Sequence, residues 1–303
     1  MSSFTIMTDT SSDLPQEYID KHGLETIPIP FHLDGVQHSG GRWQEISDKD
    51  YYAALGAGSV SGTAQINPEA YVEVFSGYAE RGESLLAVLL SSGLSPSYNN
   101  SVIALDEVKE KYPDCDIHVV DSTTAAGGAS LIAILAVNKR AEGLTAGETA
   151  KWLEEKRSSC LSLFTVNNLM YLHRGGRLSK LQAVAGSIIG IKPLLNVAPD
   201  GTLKLKDKAR GRRAALETLV KQMKRSLEPG TNLDTVTISH SDCLEDAELL
   251  AEMIKSVVNV NEFFIVMMGP VIGAHVGPGC IALFFEADMT RPEYEAKFYG
   301  GKK

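Results

Sequence analysis

Residues 84–98 contain the feature that most limits what this chain can fold into. The run from Leu85 to Leu90 is short and apolar throughout, which is typical of a parallel strand covered on both faces. A Ser-Ser-Gly turn at 91–93 ends the strand, and Ser95-Pro96 then forms a favourable helix start. Helix amino termini at such a sheet edge attract anions, but Ser95 capping its own helix explains its hydroxyl equally well.

The order of apolar segments predicts an α/β fold in two parts. Strands and helices alternate over residues 1–158, which predicts a doubly wound, mostly parallel sheet domain. Residues 159–287 change to an α+β pattern with a mixed or antiparallel sheet, including a hairpin at Pro199-Asp200-Gly201. Residues 288–303 are polar and are expected to form a loose tail or a surface helix.

Composition argues against several classes of protein. The 303 residues carry a formal net charge of −9, whereas general nucleic-acid binding needs a basic face. The four cysteines are widely separated, so neither a zinc site nor a disulfide framework is indicated. No apolar run approaches the roughly 18 residues of a membrane-spanning helix, and the first residues do not resemble a secretion signal. We therefore expect a cytoplasmic protein with no transmembrane segment and no nucleic-acid partner.

Two polar loops follow predicted elements of the first domain. The loop from Thr8 to Leu14 comes directly after a strand, at the sheet edge where α/β proteins bind ligands, although helix capping by Ser12 or Asp13 also explains it. Thr63 lies on a second loop, which ends in an Asn-Pro helix start. Helix capping does not account for the Thr63 hydroxyl, which is therefore a candidate hydrogen-bond donor to a ligand.

Basic residues are concentrated in two segments of the second domain. Arg174 and Arg177 flank two glycines that predict a tight turn, and arginine suits carboxylate or phosphate recognition. The alternative is a helix carboxyl terminus, which cations and glycine also favour. Residues 204–213 are rich in lysine and arginine and form either a docking face for an anionic partner or a solvated strand and helix surface.

His275 lies in a glycine-rich segment, 272–279, that is predicted to be a turn after an apolar strand. An imidazole there can donate to an oxyanion, but a structural histidine is the simpler alternative. We find no Walker loop, no nucleophile elbow and no paired carboxylates of a metal site in the sequence. The residues do not form a complete catalytic set.

Taken together and in order, these motifs resemble those of the DegV family. That family has a Ser-Ser-Gly-Leu-Ser turn, a Gly-Gly-Arg segment and an Ala-His-Thr-Gly-Pro-Gly turn, among others. The matching segments here are Thr8–Leu14, Thr63–Pro68, Ser91–Ser95, Arg174–Ser179, Ile191–Pro193, Arg210–Arg213 and Ala274–Gly279. The resemblance extends over nearly the whole chain, to about residue 287, and is therefore far more specific than any single motif.

The resemblance implies a protein that binds one long-chain fatty acid and presents its carboxylate to a separate fatty acid kinase. The kinase would form an acyl phosphate for phospholipid synthesis, so no catalytic residue, metal or cofactor is expected in this chain. The residues implied in carboxylate binding are Thr63, Ser92, Gly93, Ser95 and His275. Those implied in head-group or phosphate contact, or in docking the kinase, are Arg174, Arg177 and Arg210.

The sequence departs from the family pattern at a few positions. Ala64 and Ile66 replace the usual serine and proline, and Pro96-Ser97 replaces the usual Gly-Thr. The anchoring hydroxyls are retained, so these changes bear on loop shape and acyl preference.

Two other functions are compatible with the sequence. One is a hydrolase or phosphotransferase with Ser92 or Ser95 as nucleophile and His275 as base. The other is a regulatory scaffold that acts through the basic face at 204–213. Against the hydrolase, the sequence lacks the elbow pattern and offers no clear third member of a catalytic triad.

Overall fold

The computed structural model of the protein describes residues 4–41, 46–180 and 190–300. Residues 42–45 of the predicted loop and 301–303 of the predicted tail lie outside this range. The strands are β1 (Phe4–Asp9), β2 (Leu24–Ile27), β3 (Phe31–Leu33), β4 (Val36–His38), β5 (Ser61–Thr63), β6 (Ser84–Leu89), β7 (Ile117–Asp121), β8 (Cys160–Thr165), β9 (Ile191–Val197), β10 (Leu203–Arg210), β11 (Asn232–His240), β12 (Asn259–Met267) and β13 (Ile281–Glu286).

The helices lie between or after these strands along the chain. They are α1 (Gln16–His22), α2 (Asp48–Ala57), α3 (Pro68–Arg81), α4 (Ser97–Lys111), α5 (Gly127–Ala141), α6 (Ala146–Lys156), α7 (Met170–Arg174), α8 (Arg212–Arg225), α9 (Leu244–Lys255), α10 (Pro270–Val276) and α11 (Arg291–Tyr299). No helix in the described part of the chain is both long and apolar enough to cross a bilayer.

The first sheet has the order β2-β1-β6-β7, and its neighbouring strands are parallel. The central strand β6 is buried along nearly its whole length, as its unbroken apolar sequence predicts. The doubly wound α/β prediction is therefore confirmed for this part of the fold.

A small antiparallel sheet, β4-β3-β5, was not predicted. The alternation of segments predicts one strand over 25–31, but it is divided, because β2 ends before Pro28 and β3 begins after Pro30. The many Gly, His and polar residues of 34–47 predict a loop, yet this range contains β4, which a turn at Asp34-Gly35 pairs with β3. Asp34 and Gly35 have φ angles of 49° and 83°, as a two-residue hairpin turn requires.

The second sheet has the order β10-β9-β8-β13-β11-β12. Its strands are antiparallel except for the β11–β12 pair, which is parallel. This mixed sheet confirms the predicted α+β class, and the hairpin at Pro199-Asp200-Gly201 joins β9 to β10 as expected. The segment 204–210 belongs to β10, the edge strand, where lysine side chains discourage edge-to-edge association.

Helix α5 lies between the two sheets. It packs against β1 and β6 on one side and against β8, β11 and β13 on the other. Its residues from Gly127 to Ile134 are all buried, so the helix is apolar around its whole circumference, as a helix covered on every side must be. Gly127 and Gly128 permit this packing, because a Cβ atom on either would lie within 3.0 Å of the Phe284 ring.

The carboxy-terminal segment is a helix that packs on the core, so it is not a loose tail. Tyr294 of α11 is 1% exposed and belongs to the core of the second sheet. Arg291 is 2% exposed; its guanidinium donates to the carbonyl oxygens of Cys160 and Thr123 and to the Thr123 hydroxyl. Buried carbonyl groups need such donors, so Arg291 holds α11 in place.

Candidate functional site

A cavity that is partly open to solvent lies where the carboxyl edge of the first sheet meets the second sheet. The space free of protein atoms there, solvent at its mouth included, is about 740 Å³. Leu90 closes it from the first sheet, and Phe164 and Phe284 close it from the second. The other apolar lining residues are Ile29, Ala64, Leu94, Ala125, Ala126, Leu172, Val197, Leu203, Met268, Val271, Ile272, Val276, Cys280 and Ala282. Such a lining suits a long apolar group.

Thr63 and His275 form the centre of a polar cluster in the cavity wall. Thr63 ends β5, which pairs with β3, and His275 lies near the end of α10. The Thr63 Oγ1 and His275 Nε2 atoms are joined by a hydrogen bond of 2.9 Å. The segment predicted as a glycine-rich turn is thus partly helical, because Gly269 and Pro270 give α10 a favourable start.

The environment of His275 keeps its imidazole neutral. Burial, with a smaller contribution from the nearby Arg177 cation, lowers the pKa of His275 to about 4. Its Nδ1 atom is buried and has no hydrogen-bond partner among the described residues. The imidazole can donate through one nitrogen to Thr63, whose own hydroxyl is then free to donate to a ligand oxygen.

Ser95 lies in the same wall, in the turn after β6. Its hydroxyl oxygen accepts from the Ser97 amide at 3.2 Å and shares a hydrogen bond of 3.0 Å with the Ser97 hydroxyl. Ser95 is therefore not the N-cap of α4, because the helix begins one residue later than predicted and its N-cap is Pro96. The Ser95 side chain still contacts the first amide of the helix, and it also lines the cavity.

Arg177 faces inward and lines the cavity beside this cluster. Its Nε atom donates to the Leu94 carbonyl at 2.8 Å, and its Nη1 atom donates to the Gly175 carbonyl. Burial lowers the pKa of Arg177 from its ordinary value. Since these acceptors are neutral carbonyls, the guanidinium charge is available to an anion in the cavity.

A second, outer pocket adjoins the polar cluster. It shares Thr63, Arg177 and His275 with the cavity, and it is also lined by Arg174 and His32. Arg174 is exposed, and its guanidinium lies 4.5 Å from the centre of the Tyr171 ring. The polar cluster therefore stands between an apolar interior and an accessible pocket that contains cationic groups.

Ser92 and Gly93 do not line the cavity. The Ser92 hydroxyl donates to Asp121 Oδ2 at 2.5 Å, and its amide donates to Asp121 Oδ1. Gly93 packs against the β9–β10 hairpin, where a Cβ atom would lie 2.6 Å from the Asp200 carbonyl oxygen. The Gly93 amide donates to the Ser91 hydroxyl at 3.1 Å. The roles of both residues in carboxylate binding stay predictions.

Arg210 is exposed at the end of β10 and lines neither the cavity nor the outer pocket. Other cations of the basic segment have acidic partners: Lys206 pairs with Glu295, and Arg212 pairs with Asp246 at 2.9 Å. The side chains of Lys206 and Arg212 are 18% and 19% exposed, so the segment is not a fully solvated surface, and its docking role stays a prediction. In residues 4–41, 46–180 and 190–300, no His, Cys, Asp or Glu side chains are grouped as a metal site requires.

Fold and site together define a class: an α/β protein with two main sheets and an apolar cavity whose wall contains a polar cluster. The family model described as "Uncharacterised protein, DegV family" matches residues 3–288. A DegV domain-containing protein of Clostridium perfringens is 38% identical, and the alignment covers 96% of this chain and 100% of that protein. The chain belongs to the DegV family.

Solved structures of the family have the same fold. A DegV lipid-binding protein of Thermotoga maritima has a TM-score of 0.83 and 29% identity, with coverage of 95% of this chain and 100% of that one. A DegV family protein of Thermus thermophilus, described by its fatty acid binding, has a TM-score of 0.84 and 26% identity, with coverage of 94% and 99%.

Proposed function

We propose that this protein binds a long-chain fatty acid, with its hydrocarbon tail in the cavity and its carboxylate at the Thr63–His275 pair. The observation that carries the proposal is that one largely apolar cavity is also lined by four side chains that can donate hydrogen bonds: Thr63, Ser95, Arg177 and His275. The fatty acid binding described for the Thermus thermophilus relative supports it.

The tail supplies the driving force. Each methylene removed from water contributes about 0.8 kcal/mol, so a chain of roughly sixteen carbons gains on the order of 12 kcal/mol before the costs of binding. No specific contact is needed for this term, because the cavity lining is almost entirely hydrocarbon.

The carboxylate determines how the ligand is oriented. Burying it without hydrogen-bond donors costs several kcal/mol. Thr63 can donate its hydroxyl while His275 donates to it in turn, and Arg177 supplies a positive charge nearby. The head group would therefore rest at the boundary between the cavity and the outer pocket.

Identification of the bound lipid tests the proposal. Native protein is extracted with organic solvent and analysed by mass spectrometry, and delipidated protein is titrated with palmitate or oleate. The variant Ala282→Phe fills the cavity and should abolish uptake, whereas Ala53→Phe, on the exposed face of α2, should bind normally. Absence of any fatty acid, together with no uptake by the parent protein, contradicts the proposal.

We further propose that a separate kinase phosphorylates the bound carboxylate. Transfer of the terminal phosphoryl group of ATP to a carboxylate oxygen gives an acyl phosphate and ADP, which phospholipid synthesis can use. The accessible outer pocket, with Arg174 at its side, gives the phosphoryl donor a route to the carboxylate.

Charge reversal separates binding from presentation. Arg174→Glu and Arg210→Glu should retain fatty acid binding but lose phosphorylation in a reaction with the kinase and ATP. Arg81→Glu is a matched control, because α3 ends at the amino edge of the first sheet, opposite the cavity. Retention of phosphorylation by both test variants contradicts docking through these arginines.

The serine hydrolase alternative is less well supported. Ser92 is bonded to Asp121, Ser95 is bonded to Ser97, and the hydrogen bond of His275 is to Thr63. No described carboxylate orients the His275 imidazole, and a pKa near 4 makes it a weak base. Labelling of the protein by a fluorophosphonate would support the alternative.

A further inference from the structure

Gly175 and Gly176 require separate explanations. Gly176 has a φ angle of 75°, so it occupies the left-handed region that glycine favours, and a Cβ atom there would meet nothing within 4 Å. Gly175 has φ −72° and ψ −5°, a conformation that any residue adopts. The tight turn therefore requires glycine only at position 176.

Gly175 lies against the His275 imidazole of the candidate site. A Cβ atom built on Gly175 would overlap the His275 imidazole, 3.0 Å from Cε1 and closer still to Nδ1. Real side chains do not tolerate such distances, so the imidazole would have to move. Gly175 directly follows α7, which packs against α10, the helix that carries His275. The space beside Gly175 is thus the space that the imidazole occupies.

The contact between α7 and α10 is reciprocal. Gly277, at the end of α10, lies against the ring of Tyr171 on α7, and a Cβ atom on Gly277 would overlap that ring. Each element thus carries a glycine that receives an aromatic or imidazole group of the other. The Gly175 carbonyl also accepts from Arg177, so one turn contacts two members of the polar cluster.

We propose that Gly175 is a positioning residue of the carboxylate site, because its missing side chain admits the His275 imidazole to hydrogen-bond distance of Thr63. An alanine at this position displaces the imidazole from the Thr63 hydroxyl. The effect on ligand affinity rests on the proposed function, whereas the position of His275 can be measured on ligand-free protein.

The first test follows His275 directly. The imidazole Cε1–H resonance is recorded by NMR in delipidated protein and assigned by its loss in His275→Ala. Gly175→Ala should shift this resonance, and Gly56→Ala, at an exposed position of α2 where a Cβ atom meets nothing within 4 Å, should leave it in place. An unchanged resonance in Gly175→Ala, or an equal shift in both variants, overturns the proposal.

The second test is a double-mutant cycle on melting temperature. Gly175→Ala should lower the melting temperature of the parent protein but not that of His275→Ala, because removal of the imidazole leaves room for the new methyl group. An equal loss in both backgrounds would show that the alanine disturbs something other than His275, and the proposal would fail.

The third test measures binding of oleate to the same proteins. Gly175→Ala should weaken binding by up to about tenfold, because the Thr63 hydroxyl loses the hydrogen bond from the neutral His275 imidazole that orients it. It should weaken binding no further in the His275→Ala background, and additive losses contradict the proposal. Failure of the parent protein to bind oleate would refute the proposed function alone, since the resonance and melting tests still decide the role of Gly175.

Discussion

The hydroxyl of Thr63 offers the sharpest test of the carboxylate site. Thr63→Val keeps the shape and β-branching of the side chain but removes the oxygen that lies 2.9 Å from His275 Nε2. A hydrogen bond to a charged group contributes about 1.5–3 kcal/mol, so the dissociation constant for oleate should rise by about 10- to 100-fold. Isothermal titration calorimetry on delipidated protein measures the change.

A matched threonine elsewhere provides the control. Thr149 is buried in α6, and its hydroxyl has no hydrogen-bond partner in the described structure. Thr149→Val should therefore leave oleate binding unchanged and should not lower the free energy of unfolding. Oleate affinity in Thr63→Val within about twofold of the parent, less than the loss expected for one such hydrogen bond, would refute the assignment of the head group to this pair.

Three further predictions concern the tail, the buried histidine and the carboxy-terminal helix. Shortening the acid by two methylenes, from palmitate to myristate to laurate, should weaken binding by about 15-fold per step in a titration series, at ~0.8 kcal/mol per methylene. Burial holds the folded-state pKa of His275 near 4, so the unfolded chain binds the proton first as the pH falls below about 6.5. Between pH ~6.5 and ~4, the parent should therefore lose about 3 kcal/mol more of its free energy of unfolding than His275→Asn, as measured by urea titrations. Arg291→Ala should lower the free energy of unfolding by about 3 kcal/mol in urea titrations, because it leaves buried Cys160 and Thr123 carbonyls without donors.

Each of these predictions has a contradicting outcome. Equal affinity for laurate and palmitate would show that the tail is not buried. Parallel pH profiles of the parent and the asparagine variant would show that His275 is not neutral by burial. For the helix anchor, Arg213→Ala is the control, since Arg213 is exposed and forms only a surface pair with Glu217; an equal effect of both arginine changes contradicts the anchoring role.

The predicted strands and helices follow from local patterns. The apolar run that becomes β6 and the Pro199-Asp200-Gly201 turn are both encoded by neighbouring residues, and the structure contains both. The Asp34-Gly35 turn was predictable in the same way, because Asp-Gly between extended segments is a strong hairpin signal. It was missed because the many polar residues around it resemble a loop.

The site depends on contacts that local patterns do not encode. Thr63 and His275 are 212 positions apart in the sequence, and their pairing follows from how α10 packs beside β5. The sequence predicts Arg177 as a docking residue, yet the side chain turns inward to the Leu94 carbonyl. Ser92 is the opposite case: a motif residue whose hydroxyl is satisfied by Asp121.

The placement of α5 between the sheets ties the two halves of the chain into a single cooperative unit. Separating the two sheets would expose apolar side chains of α5 to water, so neither half of the chain has a complete hydrophobic core by itself. Thermal melting should accordingly proceed as one event rather than two. A ligand bound at the junction of the two sheets would then stabilise the whole fold, and its removal would lower the melting temperature of the entire molecule.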